Sequence, residues 1–172
     1  MRDRPDVASW AEEIAGRAGG LRASLRRTVT VGISGVDCAG KSTLAEALHD
    51  RLGEIGVPAL VLEGDEFTRP TCERYAEPDE GLGYYRDSFD YGALFERILP
   101  AVRSSSPGEL RIEVSDWERD GWQERTLVLP AAGVLVVEGC FLFADGRTGE
   151  FDLSVWLDLP LDRILARALQ RP

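Results

Sequence analysis

Asparagine is absent from the chain. Without it no N-glycosylation acceptor can be written, and neither can the Asn-Lys-x-Asp sequence with which a regulatory GTPase reads guanine. Histidine occurs once, at His49. Zinc sites of the multi-histidine kind are therefore excluded, and a Ser-His-Asp triad has a single candidate base. The three cysteines, Cys38, Cys72 and Cys140, have no CxxC spacing. An odd, scattered set reads as reduced thiols in a cytoplasmic protein. No apolar run approaches the length of a membrane span, and no signal-peptide core is present. Net positive charge is also missing: the formal charge is −10. That argues against nucleic acid or an anionic membrane as the main partner, and any phosphate ligand must be held by local positive groups.

Lysine is the most telling scarcity. The chain has 20 basic residues, and only Lys41 among them is not arginine. It stands in Gly35-Val36-Asp37-Cys38-Ala39-Gly40-Lys41-Ser42, which fits the phosphate-loop pattern Gly, four residues, Gly-Lys-Ser/Thr. The β-branched run Thr28–Ser34 reads as a strand leading in, and Thr43–Leu48 as a helix leading out, which is the context the motif requires. Glycines let the backbone curl so that several N–H groups face phosphate oxygens. The following helix, from Lys41 through Thr43, adds its N-terminal N–H groups and dipole. Lys41 is expected to reach the β- and γ-phosphates of ATP as a compact point charge, and the Ser42 hydroxyl to sit on Mg²⁺.

With 172 residues and 44% apolar content, the chain is long enough for one domain with a buried core. Residues 1–27 read as an N-terminal helical extension and 28–172 as the core. In the extension, Val7, Trp10, Ala11, Ile14, Ala18, Leu21 and Leu25 recur at helical spacing, with Asp6 as a cap and Gly19-Gly20 as a break. Packing against the core and binding a partner are both open to this helix, and Arg22, Arg26 and Arg27 read as a solvated face. The helix after the loop should run from Lys41 to about Glu54. His49 lies two turns along it, away from the phosphate end, and reads as a structural or surface residue.

Pro58–Glu63 reads as a second buried parallel strand. It runs into Gly64-Asp65-Glu66-Phe67, which places Asp65 beyond the carboxyl end of a strand, where open α/β sheets bind ligands. Thr68–Gly83 reads as a mobile polar loop. The aromatic and charged stretch Tyr84-Tyr85-Arg86 to Tyr91 suits a flat hydroxylated acceptor, or a capped helix start with Phe89 or Tyr91 in the core. Gly92–Val102 is a predicted helix and Ser104–Gly108 a surface turn. Leu110–Val114 and Arg125–Leu129 form a predicted hairpin lying over the acceptor pocket. Its Trp117 and Trp122 are open to packing or to ligand stacking. Gly133–Glu138 is a strongly apolar strand, and an acid at its end, Glu138, is placed for a water-mediated Mg²⁺ ligand. Leu153–Leu157 is the next strand and Asp162–Arg171 a helix. The sheet is expected to hold Val29–Ser34 at its centre, between Val134–Glu138 and Leu153–Leu157, in a three-layer α/β fold with a mainly parallel sheet.

Taken in order, Val31–Ala45, Gly64-Asp65-Glu66-Phe67, Ser88-Phe89-Asp90, Val137-Glu138-Gly139 and Leu157-Asp158 with Asp162, Arg167 and Arg171 resemble the uridine kinase-like branch of P-loop kinases. The resemblance implies an ATP- and Mg²⁺-dependent kinase for a small-molecule hydroxyl, most naturally a nucleoside. It implies Asp65 as the carboxylate that accepts the hydroxyl proton, Glu138 as the acid near metal and acceptor, and Arg167 and Arg171 as lid arginines. It also brings Asp116, with Tyr84, Tyr85 and Arg86, into the acceptor region. The chain departs from the family there: tyrosines stand in the segment near Leu82–Arg86, and no histidine follows Ser115-Asp116. The family continues beyond the equivalent of Pro172, so the lid reads as truncated. A kinase for a sugar, a vitamin or another alcohol, a nucleoside monophosphate kinase using Arg69, Arg74 or Arg86, and a non-catalytic nucleotide-binding module are the alternatives. A homo-oligomer is left open.

Overall fold

A computed structural model describes residues 6–104 and 108–170 of the protein. Its organising feature is a four-stranded parallel sheet. The strands are β1 (Val29–Gly35), β2 (Ala59–Glu63), β5 (Val134–Gly139) and β6 (Leu153–Leu157), in the order β2-β5-β1-β6. β1 is central and buried at every position, as its largely β-branched run from Val29 to Ile33 predicts. It pairs Val31 with Val136 of β5 and Ile33 with Val155 of β6. β3 (Glu109–Asp116) and β4 (Gly121–Val128) form a separate antiparallel hairpin. β2 is an edge strand, and Ala59, Leu60 and Val61 are only half-buried, which corrects the expectation of a fully buried strand.

Period-two alternation along the central strands divides the core into two. Val29, Val31 and Ile33 of β1, with Val134 and Val136 of β5, pack against α1 (Val7–Leu25) and α2 (Lys41–Glu54). Leu135 and Val137 of β5 point the other way, into a second cluster with Leu62, Phe67, Leu94, Ile98 and Ile112. Helices on both faces of a parallel sheet give the three-layer arrangement.

α1 is capped by Asp6, whose carboxylate accepts from the Ser9 N–H at 2.8 Å, and the helix runs through Gly19-Gly20 without a break. It buries Ala11, Ile14, Ala15 and Ala18 against the rest of the core. Arg27 is not a solvated residue. It pairs with Asp152 at 2.6 Å, and Asp152 also accepts from the N–H and hydroxyl of Thr30. These contacts tie the start of β1 to the start of β6.

Thr68–Gly83 is more structured than its polarity suggests, with α3 (Thr71–Arg74) and α4 (Glu80–Asp87) inside or overlapping it. Asp79 caps α4 by accepting from the Leu82 N–H at 2.9 Å, and the Tyr84 and Tyr85 rings pack edge-on to Phe141. Leu94–Ile98 is a π-helical turn that passes into α5 (Leu99–Arg103), with Pro100 at the start of α5. The wider turn accommodates a proline that lacks an N–H to donate backward. The surface turn expected at Ser104–Gly108 falls largely on 105–107, outside the described residues. α6 (Leu161–Ala168) follows β6. Among the described residues no helix is long and apolar enough to cross a membrane.

Candidate active site

β1 ends at Gly35 and α2 begins at Lys41, so the loop between them sits at the carboxyl edge of the sheet. Cys38 and Gly40 have φ of 60° and 98°. Left-handed residues at these positions turn successive N–H groups toward one side, the geometry of an anion-binding nest. No side chain caps the N-terminus of α2. Its first-turn N–H groups are thereby left for an anion, reinforced by the helix dipole.

Lys41 is 8% exposed and lies across this cradle. Its Nζ donates to the Val36 carbonyl at 3.1 Å and to Cys140 Sγ at 3.2 Å. The Ser42 hydroxyl donates to Glu138 Oε1 at 3.0 Å. Glu138 ends the β5 strand beside β1 and is 5% exposed. Burial, set against the Ser42 hydrogen bond and the Lys41 charge, pushes its carboxyl above the ordinary range, and the nearby Asp65 and Glu63 charges add to the shift. A buried carboxylate whose charge is incompletely balanced, beside a hydroxyl, is a pair of hard oxygen donors suited to Mg²⁺. Among the described residues no three His, Cys, Asp or Glu side chains converge to hold a metal by themselves. Ser42 and Glu138 fit an ion that draws its remaining ligands from phosphates and water, as Mg²⁺ usually does.

Asp65 lies in the short turn Gly64–Phe67 that follows β2, where the sequence places it. It lines a cavity of about 500 Å³ together with Asp37 of the phosphate loop, Arg74, Tyr84, Phe89 and Trp117. Arg74 is held by aromatic faces, 5.5 Å from the Tyr75 ring centre and 5.7 Å from that of Trp117. Trp117 is thus part of the cavity rather than of the core.

The predicted acceptor residues divide. Tyr84 lines the cavity and also donates its hydroxyl to Asp37. Tyr85 lines a neighbouring apolar recess with Phe141, Phe143 and Trp156, which Tyr84 and the loop residues Gly35, Val36 and Asp37 also border, and Arg86 is exposed and lines neither. Asp116 is withdrawn from the cavity, contrary to its expected place. Its Oδ1 accepts from the N–H groups of Glu118 and Arg119, both at 3.1 Å, so it caps the β3–β4 turn. Arg167 of α6 reaches the loop, donating to the carbonyls of Cys38 and Ala39, both at 3.1 Å. Arg171 lies outside the described residues. His49 points into solvent beside Asp50, as expected.

Sequence reasoning did not single out Cys140 as a site residue. Its thiol donates to Asp37 Oδ1 at 3.0 Å, and burial and that bond push it up to about 11. With Tyr84 on the other oxygen, the Asp37 carboxylate is clamped from two sides. The only signal for this in the sequence was the place of Cys140, two residues after Glu138 beyond a strand end.

The phosphoribulokinase/uridine kinase family matches residues 30–172. The uridine kinase of Salmonella paratyphi B is 31% identical over 147 residues, covering 83% of this chain and 68% of that one. Among solved structures, a Bacillus stearothermophilus protein described as a possible uridine kinase superposes with a TM-score of 0.70 at 25% identity, covering 92% of this chain and 87% of that one. A Silicibacter protein described as a candidate fructose transport system kinase superposes with a TM-score of 0.69 at 24% identity, covering 98% of this chain and 82% of that one, and is similar in fold.

Proposed function

The chain belongs to the phosphoribulokinase/uridine kinase family, and we propose that it transfers the γ-phosphoryl group of ATP to a hydroxyl of a nucleoside-like small molecule. The observation that carries this is the shared cavity: Asp65 and the phosphate-loop residue Asp37 line the same space. A hydroxyl bound beside Asp65 would therefore lie next to the end of the phosphate chain.

The roles follow from what phosphoryl transfer requires, which is positioning and charge stabilisation more than covalent chemistry. Backbone N–H groups of Val36–Thr43 bind the phosphates. Lys41 exchanges its contact with the Val36 carbonyl for phosphate oxygens. Ser42 and Glu138 would hold Mg²⁺, which when bound would neutralise charge on the phosphates. Arg167 adds charge from above the loop. Asp65 orients the acceptor hydroxyl and takes its proton as the oxygen attacks.

A second reading keeps the chemistry and changes the acceptor to another alcohol, such as a sugar or a vitamin. It is favoured by the placement of Asp116 in a turn and of Tyr85 in a different recess, since both stand where the resemblance puts nucleoside contacts. The test is ADP release with Mg-ATP against nucleosides, nucleoside monophosphates, pantothenate and simple sugars. Turnover on uridine or cytidine supports the first reading. Turnover confined to a non-nucleoside alcohol supports the second, and ATP binding without turnover on any hydroxyl compound would overturn both.

A further inference from the structure

A second cavity opens from the phosphate loop. It has a volume of about 850 Å³ and is separate from the one holding Asp65. Gly40 and Thr43 border it at the phosphate end, Arg163 and Arg167 of α6 form one side, and Val7 and Trp10 of α1 form another. The recess with Tyr85 also borders the loop, at Gly35, Val36 and Asp37, and the cavity with Asp65 meets it at Asp37. Of the three, the cavity against α1 is the one that reaches Gly40 and Thr43 at the N-terminus of α2 and carries two arginines. A nucleotide whose phosphates rest on that N-terminus extends its ribose and base there, while the cavity with Asp65 is left for the acceptor.

α1 lies outside the stretch matched to the family, which begins at residue 30. It is nevertheless fixed to the phosphate-loop helix. Ala11, Ile14, Ala15 and Ala18 are buried in the cluster that contains Leu44 and Leu48 of α2, and Glu12 pairs with Arg51. Trp10 is on this anchored helix, yet it is 37% exposed and belongs to neither core cluster. The fold thus places a large, partly exposed aromatic ring, carried on an anchored helix, in the wall of a cavity that opens from the phosphate loop. Such a ring is suited to stacking on a nucleobase, which every base permits through its π-face.

We propose that Trp10, with Val7 beside it, forms the wall against which the nucleobase of the phosphoryl donor packs, so that α1 is part of the donor site. The inference rests on the reading of Gly35–Thr43 as the donor's phosphate site. Trp10 touches the donor, not the reacting atoms, and acts in binding.

The experiment is calorimetric titration of the full chain, in Mg²⁺, with ATP and with inorganic tripolyphosphate, which has the phosphates and no base. In Trp10→Ala, ATP affinity is expected to fall about tenfold and tripolyphosphate affinity by no more than about twofold, the scale of one lost base–aromatic stack. The ratio of the two affinities is the quantity read, because partial unfolding lowers both together. Trp10→Phe keeps an aromatic face and should keep most of the ratio, which guards against a Trp10→Ala chain that fails to fold. An unchanged ATP affinity, or equal losses for the two ligands in both variants, would overturn the inference while leaving the phosphate site intact. A wild-type chain that binds neither ligand would overturn the donor-site reading beneath it.

Discussion

Ser42, in the first turn of α2, donates a 3.0 Å hydrogen bond to the carboxylate of Glu138 at the end of β5. The two residues are 96 positions apart, and the parallel pairing of β1 with β5 brings them together. One neutral hydroxyl and a neighbouring lysine do not balance the burial of that carboxylate, so it stays raised. The pair is therefore costly to the free protein and ready for a cation.

Glu138→Gln should make the nucleotide-free protein more stable. A carboxyl raised in the folded state favours protonation there. Its cost is absent below the ordinary value of 4.5 and grows as pH rises through the higher folded value. Calorimetry at neutral pH without nucleotide should show the variant melting a few degrees higher, roughly 2–4 °C per kcal/mol for a chain of this size. The gap should close below about pH 4, where the wild-type carboxyl is protonated. Mg²⁺-dependent turnover should fall in the same variant by about 10²-fold or more.

Asp152→Ala should show the opposite pH behaviour. Burial alone would raise the Asp152 carboxyl, but hydrogen bonds from Arg27 and Thr30 hold it below its ordinary 3.8. A depressed carboxyl stabilises the fold above its unfolded value, and that stabilisation is lost as pH falls through the folded value. Urea unfolding at pH 7 should show a loss of about 2–3 kcal/mol, typical of a hydrogen-bonded charged group in a half-buried setting. The difference from wild type should shrink as pH drops below about 4.

Gly32→Ala should destabilise the core beneath the loop. A Cβ at Gly32 would come within 2.7 Å of the Phe151 ring, and that ring is itself buried. Overpacking of this kind costs about 1–3 kcal/mol. Chemical denaturation measures it. An alanine tolerated without loss would mean that Phe151 can move aside.

The phosphate loop, α2 and the central strands were legible because their signals are local. A motif of eight residues, an uninterrupted helical period and β-branched runs bounded by glycines each announce themselves within one element. What escaped depends on how the chain turns locally and on contacts distant in sequence. Asp116 reads as an acceptor ligand until the hairpin turn supplies two N–H groups for it to accept. Cys140 reads as a scattered thiol until the strand ends bring it to Asp37, 103 residues away. α4 contains Gly81 and Gly83, which weaken its helical signal. Its order comes from the Asp79 cap and from the packing of Tyr84 and Tyr85 on Phe141. The π-helical turn at Leu94–Ile98 keeps an apolar spacing that reads as an ordinary helix.

The most direct test of the account is single-turnover transfer by Asp65→Asn beside wild type, using any acceptor on which wild type is active, together with ATP titration of both proteins. Asparagine keeps the shape of the side chain and removes its capacity as a base. The account predicts unchanged ATP affinity and a transfer step slower by about 10²–10⁴, the usual contribution of a general base. Transfer at the wild-type rate would contradict it and remove Asp65 from the reaction.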